Sequence, residues 1–240
     1  VLEALRAGNP VECLYLLETA ERGPQFNEIL QLASKMSVVV VFESRRDIDR
    51  RARTLRHQGV VARANDPTYT DFDELVQSAT RQGRSALIVV LDGIEDPHNL
   101  GAIARTADGA GADGLVIAER RAVGITPGAI SASAGALEHV SVARVVNMSR
   151  AIDKLRDAGL WIVGLDGSGT QRHTEVDLQV PIAIVVGSES SGMSRLVREK
   201  CDFIVALPMA GAVESLNASV SAAIVMYEVV RQRTPGRTPE

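Results

Sequence analysis

Aromatic residues are scarce in this chain: one Trp, three Tyr and four Phe, 3% of 240 residues. RNA-binding sheets of the RRM or OB type stack bases on several exposed rings, so that kind of surface is disfavoured. Cysteine is scarcer still. Cys13 and Cys201 stand far apart, without the spacing of a metal-ligand or redox pair, and both read as buried thiols of a cytoplasmic protein. The four histidines (His57, His98, His139 and His173) are scattered with no HxxxH or HExxH, so no metal site is expected. The longest apolar runs, Val38–Phe42 and Ala86–Leu91, are strand-sized, and no membrane span is expected. No signal peptide is visible, and a chain opening on Val1 is expected to lack its own N-terminus.

Three catalytic signatures are also missing. No GxxxxGK[ST] occurs, which disfavours a P-loop NTPase. The stretch Gly164–Gly169 follows a strand but does not match GxGxxG, and no GxSxG elbow exists to hold a nucleophilic serine.

What is present is a chain 45% hydrophobic and 23% charged, enough for one large domain or two modest ones. The net charge of −4 by itself speaks against nucleic acid. It hides a local excess, because residues Arg45–Arg63 hold seven Arg against two Asp. This run reads either as a solvated helix face or as a phosphate-gripping surface, with Arg45, Arg46, Arg50, Arg51, Arg53 and Arg56 as its contacts.

Strands and helices alternate, which predicts an α/β protein with a mostly parallel sheet and helices on both faces. Strands are expected at Val11–Leu17, Val38–Phe42 (a continuous β-branched run, read as buried), Gly59–Ala64, Ala86–Leu91, Gly114–Ala118, Val140–Val146, Leu160–Asp166, Ile182–Gly187 and Phe203–Leu207. Helices are expected at Gln25–Ser34, Arg45–Arg56, Asp71–Ala79, Asn99–Ala110, Pro127–Gly135, Ser149–Ala158 (capped by Ser149) and Leu216–Arg233. The polar stretch 66–83 reads as a linker between a small domain, 1–65, and a larger one, 84–240.

Open α/β sheets bind ligands at the carboxyl ends of their strands, which singles out three loops. The first, LDGIEDPHNLGAIART, carries Asn99 and Arg105. Asn99 reads as a helix cap or as an amide facing the strand ends, and Arg105 as a solvated side chain or one reaching along the groove. The second, VVGSESSGM, places Gly187 and Gly192 around Glu189. A carboxylate repels phosphate, so this turn suits hydroxyls or a positive centre. The third, LPMAGAVESLNASVSAA, leads through Ser215, a natural N-cap, and Asn217 into a helix with an unusually small-sided face.

Taken together, NLGAIART, VVGSESSGM and LPMAGAVESLNASVSAA resemble, in order and spacing, the three motifs of the SpoU (TrmH-like) RNA 2′-O-ribose methyltransferases. The likeness is densest over Ala86–Arg233, and its details are similar to the branch of that family acting on a guanosine of 23S ribosomal RNA. The first sixty-odd residues resemble the family's small ribosomal-protein-like substrate-recognition domain, which tRNA members often lack.

The resemblance implies a catalytic domain with a C-terminal trefoil knot, S-adenosylmethionine as cofactor, 23S rRNA as partner and a homodimer formed through the catalytic domain. It places Asn99, Arg105, Glu189, Ser215 and Asn217 on catalytic positions, and Gly187, Leu207, Met209 and Leu216 on cofactor positions. For the in-line methyl transfer the resemblance implies Arg105 as a base assisted by RNA phosphate; because a guanidinium stays protonated, the role expected here is to grip the target phosphate and ease loss of the hydroxyl proton. Asn99, Ser215 and Asn217 orient the ribose and loop, and Glu189 fixes Arg105 or a substrate group. One departure is Ser190, where the family commonly has a second Gly after the motif Glu. If that position required φ > 0, the serine would be strained by about 1–2 kcal/mol.

Overall fold

The computed structural model describes residues 1–6, 11–20, 23–52, 57–64, 67–81, 85–213 and 215–234. The chain forms two compact units, Val1–Pro67 and Thr68–Glu240.

The first unit holds helices α1 (Leu2–Arg6), α2 (Pro24–Lys35) and α3 (Arg45–Arg51) and strands β1 (Val11–Leu17), β2 (Val39–Glu43) and β3 (Val60–Ala64). Its sheet runs β2-β1-β3, with β1 parallel to β2 and antiparallel to β3. The central strand buries Leu14 and Leu16 against Phe26, Ile29 and Ala33 of α2. The β-branched run expected as a buried strand is instead the edge strand β2, with Val39 60% and Phe42 45% exposed. A continuous apolar run signals a strand, but only its neighbours decide burial. Of the proposed RNA contacts, Arg53 and Arg56 lie outside the described residues.

The second unit is built on a seven-stranded, all-parallel sheet in the order β6-β5-β4-β9-β7-β10-β8. Its strands are β4 (Leu87–Asp92), β5 (Gly114–Ala118), β6 (Val142–Val145), β7 (Trp161–Leu165), β8 (Gln171–Arg172), β9 (Ile182–Gly187) and β10 (Phe203–Ala206). The helices are α4 (Phe72–Arg81), α5 (Pro97–Gly109), α6 (Pro127–Ala132), α7 (Met148–Asp157), α8 (Arg195–Arg198) and α9 (Ala218–Arg233). The two-residue period of the strands divides the core. Leu87, Val89 and Leu91 pack with α5 and α9 on one face. Ile88 and Val90 pack with α4 and α7 on the other. No helix among the described residues is long and apolar enough to cross a membrane.

Two sequence expectations change here. The helix expected at Asp71–Ala79 forms as α4, but it is no free linker piece: its Phe72, Leu75, Val76 and Ala79 are buried in the second unit's core. Its high polarity is that of one helix face, and the apolar residues form the other. Helix α7 is capped by Asn147, which accepts from the Arg150 amide at 3.0 Å, and not by Ser149.

The last turn of α9 locks the sheet. Arg233 donates to the carbonyls of Leu178 (2.9 Å), Ser85 (2.6 Å), Ala86 (3.1 Å) and Val180 (2.7 Å), tying the approaches to β4 and β9 to the helix. One turn earlier, buried Glu228 accepts two bonds from Arg231 (2.7 and 2.8 Å) and one from Gln232 (2.8 Å). The Arg231 guanidinium outweighs the opposing effect of burial, with help from Gln232, and holds the Glu228 carboxyl down at about 2.

Arg233→Ala is expected to cost about 2–4 kcal/mol in a urea titration, since it leaves carbonyls unpaired. The depressed Glu228 carboxyl stabilises the fold fully above its ordinary value of 4.5, and that contribution is lost as pH falls from there to about 2. Thermal melts of Glu228→Gln should lack this part of the acid sensitivity.

Candidate active site

The carboxyl ends of β4, β9, β7 and β10 converge, with β9 between β4 and β7. After β9 the chain reverses in a tight turn. The Ser188 amide donates to the Gly192 carbonyl (3.1 Å), and the Gly192 amide donates back to Ser188 (2.9 Å). Gly192 takes φ +65°, and the Ser188 and Ser191 hydroxyls bond at 2.7 Å. The turn folds so closely onto the strand end that a Cβ on Gly187 would lie 2.2 Å from the Gly192 carbonyl carbon and 2.3 Å from the Met193 nitrogen. Gly187 is therefore required for space, even though its φ is ordinary. Ser190 is not among the non-glycine residues with positive φ (Ser37, Gln58, Arg121 and Ala134), so the strain considered for it does not arise.

This turn presents Glu189 to two helices. Glu189 Oε1 accepts from Asn99 Nδ2 (3.1 Å), from the Ala218 amide (3.3 Å) and from Asn217 Nδ2. Asn217 Nδ2 also donates to Asn99 Oδ1 at 2.9 Å. Three residues from three distant segments thus close one hydrogen-bonded triangle. Asn99 is buried in the first turn of α5 and does not cap it. Asp96 is the cap, accepting from the His98 amide at 2.9 Å, with Pro97 in the first helical position.

Ser215 does not cap α9 either. Asn217 does, its Oδ1 accepting from the Ser219 amide (2.9 Å) and hydroxyl (2.6 Å) and the Val220 amide (3.4 Å). The helix starts at Ala218, two residues later than expected. Capping needs the oxygen one residue before the first helical φ/ψ, and only Asn217 occupies that place.

Beside the triangle lies a pocket of about 350 Å³, within the range of small-molecule sites. Gly187, Leu207, Met209 and Leu216 all line it, as do Glu189 and Ser215. Asp166 and Gly167, at the end of β7, complete the wall. Among the described residues, its lining carries two carboxylates and no Lys, Arg or His.

Asp166 was not singled out from the sequence. In the sequence the GLDGSG stretch reads as a failed dinucleotide fingerprint, and the signal it does carry is an Asp beside a glycine at a strand end. Its carboxylate accepts from the Ser168 amide (2.9 Å) and hydroxyl (2.5 Å), and Arg198 stands 3.5 Å away. Burial pushes this carboxyl up, but the Ser168 bonds and the Arg198 charge outweigh it and hold it below its ordinary value.

Arg105 is not brought to this pocket within the chain. Six helical residues separate it from Asn99, about 240° around α5, and its side chain is exposed. Glu189 therefore fixes the two asparagines and not Arg105. In the first unit, Arg45 pairs with Asp49 (3.6 Å) and Arg50 with Asp47 (3.5 Å). Arg51 grips Glu43 through two bonds (2.7 and 2.8 Å) and lies 4.0 Å over the Tyr15 ring. Arg46 has no such pairing among the described residues. The described residues contain no group of three or more His, Cys, Asp or Glu placed to hold a metal ion. Burial pushes the Cys201 thiol up to about 12, so it is no nucleophile.

A parallel α/β sheet with its pocket at the strand carboxyl ends, walled by carboxylates and a tight glycine turn, is the architecture of a small-molecule-binding α/β protein with no phosphate cradle in that pocket. Residues 86–227 match the family model "SpoU rRNA Methylase family", and residues 1–70 match "RNA 2'-O ribose methyltransferase substrate binding". The chain belongs to the SpoU rRNA methylase family, a family of RNA methyltransferases. It is 44% identical to YacO of Bacillus subtilis, a protein assigned to the TrmH family of tRNA/rRNA methyltransferases, over 98% of this chain and 94% of that one.

Among solved structures it is similar to the SpoU methyltransferase AviRb of Streptomyces viridochromogenes in complex with AdoMet. The TM-score is 0.82 at 30% identity, covering 98% of this chain and 87% of the other. It is also similar to an RNA 2′-O ribose methyltransferase, with a TM-score of 0.76 at 29% identity over 96% and 84% of the two chains.

Gly187→Ala is expected to force the Ser188–Gly192 turn off the strand end and lower the melting temperature by roughly 2–10 °C. Asn217→Ala should cost about 1–2 kcal/mol through the lost cap alone, read by urea unfolding.

Proposed function

We propose that this protein transfers a methyl group from S-adenosylmethionine to the ribose 2′-oxygen of a nucleotide, a guanosine, in 23S ribosomal RNA. The observation carrying this reading is the pocket itself: two carboxylates, no basic lining residue, and the Asn99–Glu189–Asn217 triangle at its side. A phosphate-bearing cofactor would be repelled there, whereas a sulfonium with an ammonium group fits the charge. The AdoMet held by the AviRb structure supports the same assignment.

Gly187, Leu207, Met209 and Leu216 would hold the cofactor, which supplies an electrophilic methyl group. The chain's own part is to orient and polarise. The two asparagine amides are locked by their mutual bond and by Glu189 Oε1, so they orient the ribose without rearranging. The other Glu189 oxygen is left to accept a hydrogen bond from the 2′-hydroxyl. Ser215 stands on the pocket rim to hold the loop or the sugar.

A guanidinium stays protonated, so Arg105 acts as a charge that grips phosphate and eases loss of the hydroxyl proton. It does so across a homodimer. A Cβ on Gly109, one helical turn from Arg105, would lie 3.2 Å from the Tyr227 hydroxyl. That sets Arg105 near the face of α9 that exposes Val220, Ile224 and Tyr227. A second copy seated on this apolar stripe would bring its Arg105 to the first copy's pocket. The knotted chain path of the family belongs to the same reading, supported by β9 and β10 flanking β7 in the sheet. The first unit would select the RNA through Arg45, Arg46 and Arg50, while Arg51 serves the fold. The protein would act in the cytoplasm, where ribosomal RNA is made.

Calorimetry should show stoichiometric S-adenosylmethionine binding, weakened at least tenfold in Gly187→Ala. Mass-spectrometric mapping of RNA from a strain lacking the protein should show one 2′-O-methyl mark lost from 23S rRNA. Loss of a tRNA mark instead would favour the tRNA substrate that the naming of YacO also allows. Arg105→Ala and Glu189→Gln should each abolish turnover, and mixing the two variants should restore about a quarter of it if the arginine acts across the dimer.

A further inference from the structure

We propose that the loop Glu119–Thr126 is a track for the backbone of the RNA strand flanking the target nucleotide, with Arg120 and Arg121 as its phosphate contacts. This rests on the RNA-methylation reading and adds an element that the three motifs do not include. The loop leaves the carboxyl end of β5 and is tied down on both sides. On one side the Glu119 amide donates to the Val145 carbonyl at 2.9 Å. On the other, the Val123 amide donates to the Ile94 carbonyl at 2.9 Å, five residues before Asn99. It therefore runs along the same strand edge as the pocket. In the strand order, β5 and β6 stand two and three places from β9, about 10–15 Å away, a few nucleotides along a strand.

The chemistry of this edge is that of a backbone contact. Arg120 and Arg121 are exposed and make no ion pair among the described residues, and Arg150, in the first turn of α7, is likewise exposed and unpaired there. Arg144 is already committed, stacked 4.7 Å over the Tyr69 ring and donating to the Glu119 carbonyl at 3.3 Å. It buttresses the loop and adds charge. Beside it Val146, 86% exposed, offers an apolar contact for a sugar or base. The carboxylates at this end are Glu119, Glu95 and Asp96 beyond Ile94, and Asp92 at the end of β4, which accepts from the Ser194 amide at 2.6 Å; the four arginines match them in number in a chain whose net charge is −4.

Arg121 also adopts φ +56°, a conformation that costs a non-glycine residue free energy. Among the described residues its exposed side chain makes no ion pair. A glycine would relieve the backbone there, so Arg121→Gly removes the charge without adding strain.

The test is binding of a fluorescein-labelled single-stranded 20-nucleotide RNA to the full chain by anisotropy, across a series of KCl concentrations. R120Q/R121Q is expected to weaken binding five- to tenfold. It should also flatten the slope of log K against log[salt] by about 1.4, some 0.7 per lost phosphate contact. Arg121→Gly should weaken binding without lowering the melting temperature, which a structural role for the arginine would not permit. The charge-matched control R81Q/R195Q should leave the slope within about 0.3 of wild type. An unchanged slope in R120Q/R121Q, or an equal loss in the control, overturns the track. Calorimetric S-adenosylmethionine binding separates this from failure of the parent reading. It stays unchanged in R120Q/R121Q if the track alone is at issue, and a wild-type chain that binds none sinks the methyltransferase assignment itself.

Discussion

The site depends on how closely the turn after β9 folds back onto Gly187. With 2.2 Å between a hypothetical Cβ and the Gly192 carbonyl carbon, no other residue leaves room for that turn. The turn in turn sets Glu189 where amides from α5 and α9 reach it. A single oxygen, Oε1, then joins segments 90 and 29 residues away in sequence. A hydrogen-bonded carboxylate at the meeting point of two helices is rigid, because moving it leaves several donors unpaired at once. The pocket wall inherits that rigidity.

The rest of the unit holds the two helices in place. Alternate residues of β4 face opposite cores, so α5 and α9 share one face of the sheet while α4 and α7 occupy the other. Gly101 lets α6 press onto α5, since a Cβ there would fall 2.5 Å from the Ala129 carbonyl oxygen. Arg233 closes the far end of α9 with bonds to four carbonyls. The helix bearing Asn217 is thus fixed at its start by the Asn99–Glu189–Asn217 triangle and at its end by the sheet.

Charge is sorted along the strand edge. The pocket at β7, β9 and β10 carries Asp166 and Glu189, whereas the β5–β6 end carries Arg120, Arg121, Arg144 and Arg150. A cationic small molecule and a polyanion can therefore approach the same edge without competing. The net charge of −4 averages these regions and describes neither. The scarcity of aromatic rings is consistent with a surface that holds RNA by phosphate and shape.

Much of this was legible in the residues. Strand–helix alternation showed a parallel α/β sheet, the bounds of β5 and β9 were read directly, and Asn99, Glu189 and Asn217 were all singled out. Local patterns decide such things: side-chain period, glycine at a strand end, and polar residues where a helix begins. Tertiary structure decided the rest. It made Val38–Phe42 an edge rather than a core strand, packed the helix expected within the linker into the core of the second unit, and gave the α9 cap to Asn217 and not Ser215. It bonded Glu189 to two asparagines and left Arg105 on the outside of α5. Each of these turns on which groups from distant segments meet. Sequence by itself carries the periodicity that builds the elements, but burial and hydrogen-bond partners exist only once the chain has closed on itself.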